Sequence, residues 1–205
     1  MATPTVFAQV MALGHREAFR RCVQRYAGDA RVKDFTCHDQ WLAMAFAQLT
    51  YRESLRDVEA ALAARTDLLY QMGFRSLVRR STLADANEQR DWRIYADWAQ
   101  TLIRRCRALY ANEPFGLELE QTVYALDATI IDLCLNLFPW ARFRPTKAAI
   151  KLHTLLDLRG SIPTFIALTK GAEHDLFGLD LVPIEPGAIY CVRGHLYSSH
   201  DGSGS

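Results

Sequence analysis

Lysine is scarce in this 205-residue chain, with 4 residues against 20 arginines, and neither charge sign dominates, with 24 basic and 23 acidic side chains. A near-neutral balance excludes a polybasic protein that coats nucleic acid through bulk charge. The arginine bias admits two readings. Arginine makes planar bidentate contacts with phosphate and guanine, which suits DNA binding. A GC-rich genome gives the same bias through its codons. No CxxC occurs, and the five cysteines (Cys22, Cys37, Cys106, Cys134 and Cys191) are odd in number and far apart. That argues against a disulfide framework or a zinc module and for a reducing cytosol. No apolar run reaches the about 18 residues a membrane span needs. The start, MATPTVFAQVMALGHREAF, lacks a basic segment followed by a continuous apolar core, so it does not read as a signal peptide. The phosphate loops GxxxxGK[ST] and GxGxxG, the nucleophile elbow GxSxG and the zinc pattern HExxH are all missing, which removes the usual anchors of nucleotide-dependent, hydrolase and metalloprotease readings.

What remains is globular: 50% apolar, 11% aromatic and 23% charged, a composition that excludes disorder and collagen-like structure. At roughly 100–200 residues per domain the chain holds one domain or two small ones. Its character changes near residue 120. Before that point, helical spacing predicts helices over His15–Tyr26, over Asp39–Thr50, from Ser54, from about Thr82, and from an Asp91 cap to Tyr110, where Asn112-Glu113-Pro114 ends the last. WLAMAFAQL within the second is apolar on nearly all sides and predicts the buried centre of a bundle. After that point, β-branched and aromatic content rises. Strands are expected over 122–135, 149–158, 162–170 and 186–192, with the turn Arg159-Gly160-Ser161 making a hairpin and HDLFGLDL a short helix.

Asp127 stands out because a carboxylate in an apolar strand is costly to bury unless it is paired, solvated or bound to metal. A solvated sheet edge is the plain alternative. Thr129 shares its face, whereas Asp132 lies at an odd offset and falls on the other. Asp157 reads as a turn residue. The six histidines, including His153, His174, His195 and His200, show no metal-binding spacing and read as scattered polar groups. The helices from Ser54 and about Thr82 bracket a connection containing Gly73, which resembles an elongated helix-turn-helix. On that reading Arg79 and Arg80 touch phosphate, Ser81 and Thr82 cap the helix or reach the DNA backbone, and Arg90 joins the contact set. Plain capping of a solvated helix is the alternative.

Three stretches carry a resemblance: FTCHDQWLAMAFAQLTYRESLRDVEAALAA (35–64), RSTLADANEQRDWRIYADWAQTLI (80–103) and YALDATIIDLCLNLFPWARFRPTKAAIKLHTLLDLRGSIPTFI (124–166). Together they resemble bacterial insertion-sequence transposases of family four, over about residues 6–194. The resemblance implies an α+β chain: a helical DNA-binding bundle over 1–118, then over 119–194 the opening part of a ribonuclease-H-like mixed sheet in the order β-β-β-α-β. The stretch 195–205 is polar and Gly/Ser-rich, has no place in the strand pattern and reads as a disordered tail. The resemblance also implies DNA partners at terminal inverted repeats, self-association or association with intact transposase, Mg²⁺ or Mn²⁺ as cofactor, no membrane, and a cytoplasmic, nucleoid-associated location. Asp127 takes the place of the first of three catalytic carboxylates, a metal ligand in two-metal strand cleavage. The second is expected directly before Arg-Gly, but Val192 precedes Arg193-Gly194, and the third has no counterpart in this chain. One carboxylate of three does not hold two cations, so the expectation is a chain that binds DNA but neither cuts nor joins it alone. The alternative implied role is a DNA-binding regulator of intact transposase.

Overall fold

A computed structural model describes residues 4–110, 121–133, 142–144, 147–173, 177–192 and 195–198. The chain divides into two compact units, Met1–Ala99 and Gln100–Ser205.

The first unit is helical. α1 (Val6–Ala12) is capped by Thr5, whose hydroxyl accepts the Ala8 N–H at 3.2 Å. It is absent from the expected helices because seven residues carry too short an apolar stripe for periodicity to register. α2 (Arg16–Arg25) buries Phe19, Cys22 and Val23. α3 (Cys37–Leu49) starts at a capping box in which Thr36 and Asp39 bond each other's main-chain N–H groups. α4 (Leu55–Ala63) is capped by Ser54. α5 (Arg80–Gln89) follows, and α6 (Arg93–Tyr110) begins where the Asp91 carboxylate accepts the Arg93 N–H at 2.9 Å.

The uniformly apolar α3 does occupy the centre. Leu42, Ala43 and Ala47 pack with Val58 and Leu62 of α4, Leu83 of α5, and Leu69, Met72, Phe74 and Val78 from the segment between those helices. Beside this core, Phe19, Trp41 and Trp98 meet with ring centroids 5.5–5.8 Å apart, a geometry that adds to simple area burial.

Two polar residues of α3, Asp39 and Gln40, are buried and fully employed. Gln40 donates to Asn87 Oδ1 at 2.6 Å and accepts from Tyr95 Oη at 2.6 Å and Arg90 Nη1 at 2.8 Å. Arg90 also donates to the Thr36 carbonyl at 2.9 Å and to the Phe35 carbonyl, and lies 5.4 Å over the Phe35 ring. Arg90, expected among the DNA contacts, is therefore an internal clamp. Its bidentate guanidinium fits the two successive carbonyls ahead of α3, of which the Thr36 one also accepts the Gln40 N–H at 3.0 Å.

The second unit is built on a mixed sheet. Its strands are β1 (Val123–Leu133), β2 (Arg142–Arg144), β3 (Lys147–Asp157), β4 (Ile162–Lys170), β5 (Ile189–Val192) and β6 (His195–Ser198), with α7 (Phe177–Leu181) between β4 and β5. The order is β2-β3-β1-β5-β6, with β4 also paired to β3. β3 is antiparallel to β1 and β4, β5 is parallel to β1, and β6 is antiparallel to β5. The expected turn after β3 forms: Asp157 accepts the Arg159 N–H at 2.9 Å and Ser161 takes φ 51°.

Two expectations need correction. The disordered tail over 195–205 loses its first four residues to β6, an edge strand held by main-chain pairing that needs no alternating pattern. β2 adds a short strand for the same reason. The helical unit runs to Ala99, and within the sheet unit Arg107 of α6 bonds Tyr124 and Glu185. Residues 199–205, Asn112-Glu113-Pro114, Cys134-Leu135, His174-Asp175 and Arg193-Gly194 lie outside the described residues.

The sheet core joins Tyr124, Leu126, Leu155, Val182, Ala188, Tyr190 and Val192. His153 is fully buried here, 2.8 Å from the Thr169 hydroxyl, and Gly178 of α7 lies so close that a Cβ there would meet the ring at 2.3 Å. Among the described residues no helix is long and apolar enough to cross a membrane.

Replacing Arg90 with Ala is expected to lower the stability of the helical unit by about 2–3 kcal/mol, the scale of hydrogen bonds made by a charged group. Lysine should not restore it, since an ammonium cannot span the two carbonyls and Gln40 together. Urea denaturation midpoints of the two variants measure both effects.

Candidate nucleic-acid interface and the Asp127 face

α5 exposes one side and buries the other. Leu83 and Ala86 face the core, whereas Arg79, Arg80, Ser81 and Thr82 are all exposed. The structure therefore brings four of the expected contact residues together at one helix start. Their roles differ from expectation in one respect. Arg79 is the N-cap and makes no side-chain cap, so Ser81 and Thr82 lie inside the first turn and do not cap it. The N–H groups of Arg80, Ser81 and Thr82 thus point out of the helix with no capping side chain, and the helix dipole adds positive potential there. Arg79 reaches Glu59 of α4 at 3.8 Å, a loose pair that leaves the guanidinium exposed. Main-chain N–H groups, two hydroxyls and two guanidinium groups on one exposed turn are chemically suited to phosphate oxygens.

The pair α4–α5 is not a compact helix-turn-helix. Residues 64–79 separate them, against the three or four of that motif's turn. They carry Leu69, Met72, Phe74 and Val78, which fill the core beneath α5. Gly73 takes φ +95° there, a value that favours glycine.

Asp127 lies in the middle of β1 and is exposed, so the cost of burying its charge does not arise. β1 pairs with β3 at Asp127, and its pairing with β5 is described over Val123–Leu126. Thr129 Oγ1 donates to Asp127 Oδ2 at 3.4 Å, and Thr154 of β3 stands directly opposite. The pairing of β1 with β3 runs without a register shift from Tyr124 to Leu133. On the neighbouring parallel strand, Val192 pairs with Leu126 and is buried with it in the core. The position that the resemblance links to a second carboxylate therefore belongs to the face opposite Asp127. Among the described residues no group of three His, Cys, Asp or Glu side chains forms a metal site. A lone exposed carboxylate beside a threonine does not fit a two-metal centre, which needs carboxylates converging from several elements.

A polar triad that sequence reasoning missed closes one end of the sheet. Tyr124 Oη donates to Glu185 Oε2 at 2.6 Å, and Arg107 donates to both at 3.0 Å. Burial alone would raise the Glu185 carboxyl, but hydrogen bonds from Tyr124 and Arg107 outweigh it and hold the group below the usual glutamate range. Burial and the Glu185 contact push the Tyr124 phenol above the ordinary tyrosine range, keeping it neutral and donating. No local pattern links residues so far apart in sequence.

Residues 2–75 match a family model described as "Domain of unknown function (DUF4372)", a span covering α1 to α4 and ending ahead of α5. No curated protein and no solved structure matches the chain.

A carboxyl lowered on folding stabilises the protein above its unfolded value, and that contribution fades as pH falls through the folded one. Wild type should therefore lose melting temperature more steeply than Glu185→Gln as pH drops below the ordinary glutamate range. Parallel curves from thermal melts across that range would show that the triad carries no such linkage.

Proposed function

We propose that this chain is a transposase-class DNA-binding protein that recognises the ends of an insertion sequence through the first turn of α5. The observation that carries the reading is the exposed, uncapped start of α5 bearing Arg79, Arg80, Ser81 and Thr82. Three further features support it. The matched domain over residues 2–75 is commonly found in transposase-like proteins. The sequence resembles family-four insertion-sequence transposases through the helical bundle and into the sheet. The sheet runs through three long strands paired antiparallel, a short helix and a strand parallel to the first, in keeping with the β-β-β-α-β opening of a ribonuclease-H-like domain.

The regulatory reading is favoured by one specific observation, the buried Val192 on the side of the sheet opposite Asp127. An end-binding polypeptide that presents, among the described residues, one carboxylate on the Asp127 face of its sheet occupies DNA without cleaving it, and so competes with intact transposase for the same ends. On this reading strand cleavage is no property of the chain acting alone.

Binding to a terminal-inverted-repeat duplex is expected to weaken with salt and to exceed binding to random duplex DNA. Arg80→Ala should lower the magnitude of the log–log salt slope by about one unit, the effect of one lost phosphate contact. Fluorescence anisotropy at several salt concentrations measures it, and equal affinity for specific and random DNA at every salt would defeat the end-recognition reading. In a nicking assay with Mg²⁺ or Mn²⁺, the purified chain should leave the duplex intact. Metal-dependent nicking that disappears in Asp127→Ala would overturn the non-catalytic reading.

A further inference from the structure

The sheet unit holds a cleft of about 430 Å³ at the end of α6, within the size range of small-ligand pockets. Arg104, Arg107 and Tyr110 of α6 form one wall, Thr122 and Tyr124 stand at the start of β1, and Asp157, Arg159 and Gly160 make the far side. We propose that this cleft binds one nucleotide unit, with its phosphate between Arg104 and Arg159 and its base against Tyr110.

The charges sort themselves by partner. Arg107 and Glu185 offset each other at 3.0 Å, with the Tyr124 hydroxyl closing the triad at 2.6 Å, so these groups form a polar floor with little net charge. Asp157 accepts the Arg159 main-chain N–H at 2.9 Å and so shapes the turn. Arg104 and Arg159 then set two guanidinium groups against the one Asp157 carboxylate. Arg104 is exposed and uses Nη2 on Thr101 of its own helix, at 3.2 Å, leaving most of its donor fork for a ligand. A surplus of arginine over carboxylate at a concave surface selects an anion with several acceptor oxygens, and phosphate matches that fork.

The second half of the ligand follows from Tyr110 and Gly160. A Cβ on Gly160 would come within 3.2 Å of the Tyr110 ring, so the missing side chain is what lets the aromatic lie against the turn. Tyr110 is 44% exposed and lines the cleft together with the two arginines. An aromatic face next to a phosphate-binding fork is the pairing that nucleotides use, since every base offers a π-face for stacking. A free nucleotide and one unit of a nucleic-acid strand present the same chemistry, and the experiment separates them. The inference uses only residues of the sheet unit and does not depend on α5 binding DNA.

The test uses the full chain, a fluorescein-labelled deoxyadenosine oligomer of about ten nucleotides followed by anisotropy, and deoxyadenosine monophosphate followed by calorimetry. Arg104→Gln and Tyr110→Ala are each expected to weaken oligomer binding about fivefold or more, with Arg104→Gln also reducing the salt slope by about 0.7. Arg20→Ala, at an exposed arginine on α2, should leave it unchanged. Thermal melts confirm that each variant is folded, and Arg104→Lys, which keeps the charge, should retain part of the affinity. Monophosphate binding that responds to the same variants identifies a free nucleotide as sufficient. Oligomer binding without it identifies a strand. The proposal is overturned if neither probe binds at about 1 mM, the weak end of the affinity scale, or if the cleft variants leave both titrations as in wild type. Loss of duplex-end binding in Arg80→Ala with unaltered titrations in the cleft variants would remove the cleft proposal and leave the α5 reading in place.

Discussion

The half-buried contact between Arg90, Gln40 and the carbonyls of Phe35 and Thr36 is the constraint on which the helical unit's candidate interface depends. A guanidinium inside a helical bundle is costly unless its donors are satisfied, and here they meet two main-chain carbonyls and a side-chain amide. The same amide bonds Asn87 of α5 and Tyr95 of α6, so one glutamine on the central helix sets three helices in register. α5 is thereby held from its C-terminal end, while Leu83 seats its middle in the core. Its first turn is left outside, with uncapped N–H groups beside Arg79 and Arg80. Apolar packing alone would tolerate rotation of such a short helix. The hydrogen-bonded network selects one orientation, and that orientation presents the arginines to solvent.

In the sheet unit the comparable constraint is the strict period of two along β1. Tyr124 and Leu126 enter the core and Asp127 leaves it for solvent. The parallel pairing with β5 carries the same logic across, sending Val192 inward beside Leu126. A single rule of strand geometry thus explains why the carboxylate is exposed and why its neighbour on β5 is no second ligand.

Much of this organisation was legible in the residues. The capping signals at Ser54 and Asp91 mark helix starts, because a side-chain oxygen next to free N–H groups is a local effect. Thr36, which caps α3, is the same kind of signal ahead of a helix expected only from Asp39. The alternation around Asp127 and the turn after Asp157 are equally local. What escaped was either too short for a period to register, as with α1, β2 and β6, or depended on distant partners. Arg90 looks like a neighbour of Arg79 and Arg80 in composition, and only the approach of Phe35 and Thr36 makes it internal. The triad of Arg107, Tyr124 and Glu185 unites residues from a helix, a strand and a loop, with no spacing to announce it.

By itself the sequence determined the two-part character of the chain, the main helices and strands, the central burial of α3 and the side of β1 on which Asp127 stands. Each follows from near-neighbour spacing, because helix and strand periods are set by backbone geometry. Tertiary structure alone decided which arginines are clamps and which are open to a ligand, where one unit gives way to the other, and which side chains line the cleft beside Tyr110. Those outcomes turn on hydrogen bonds between groups far apart in sequence, whose partners are chosen by packing and carry no mark in the local pattern.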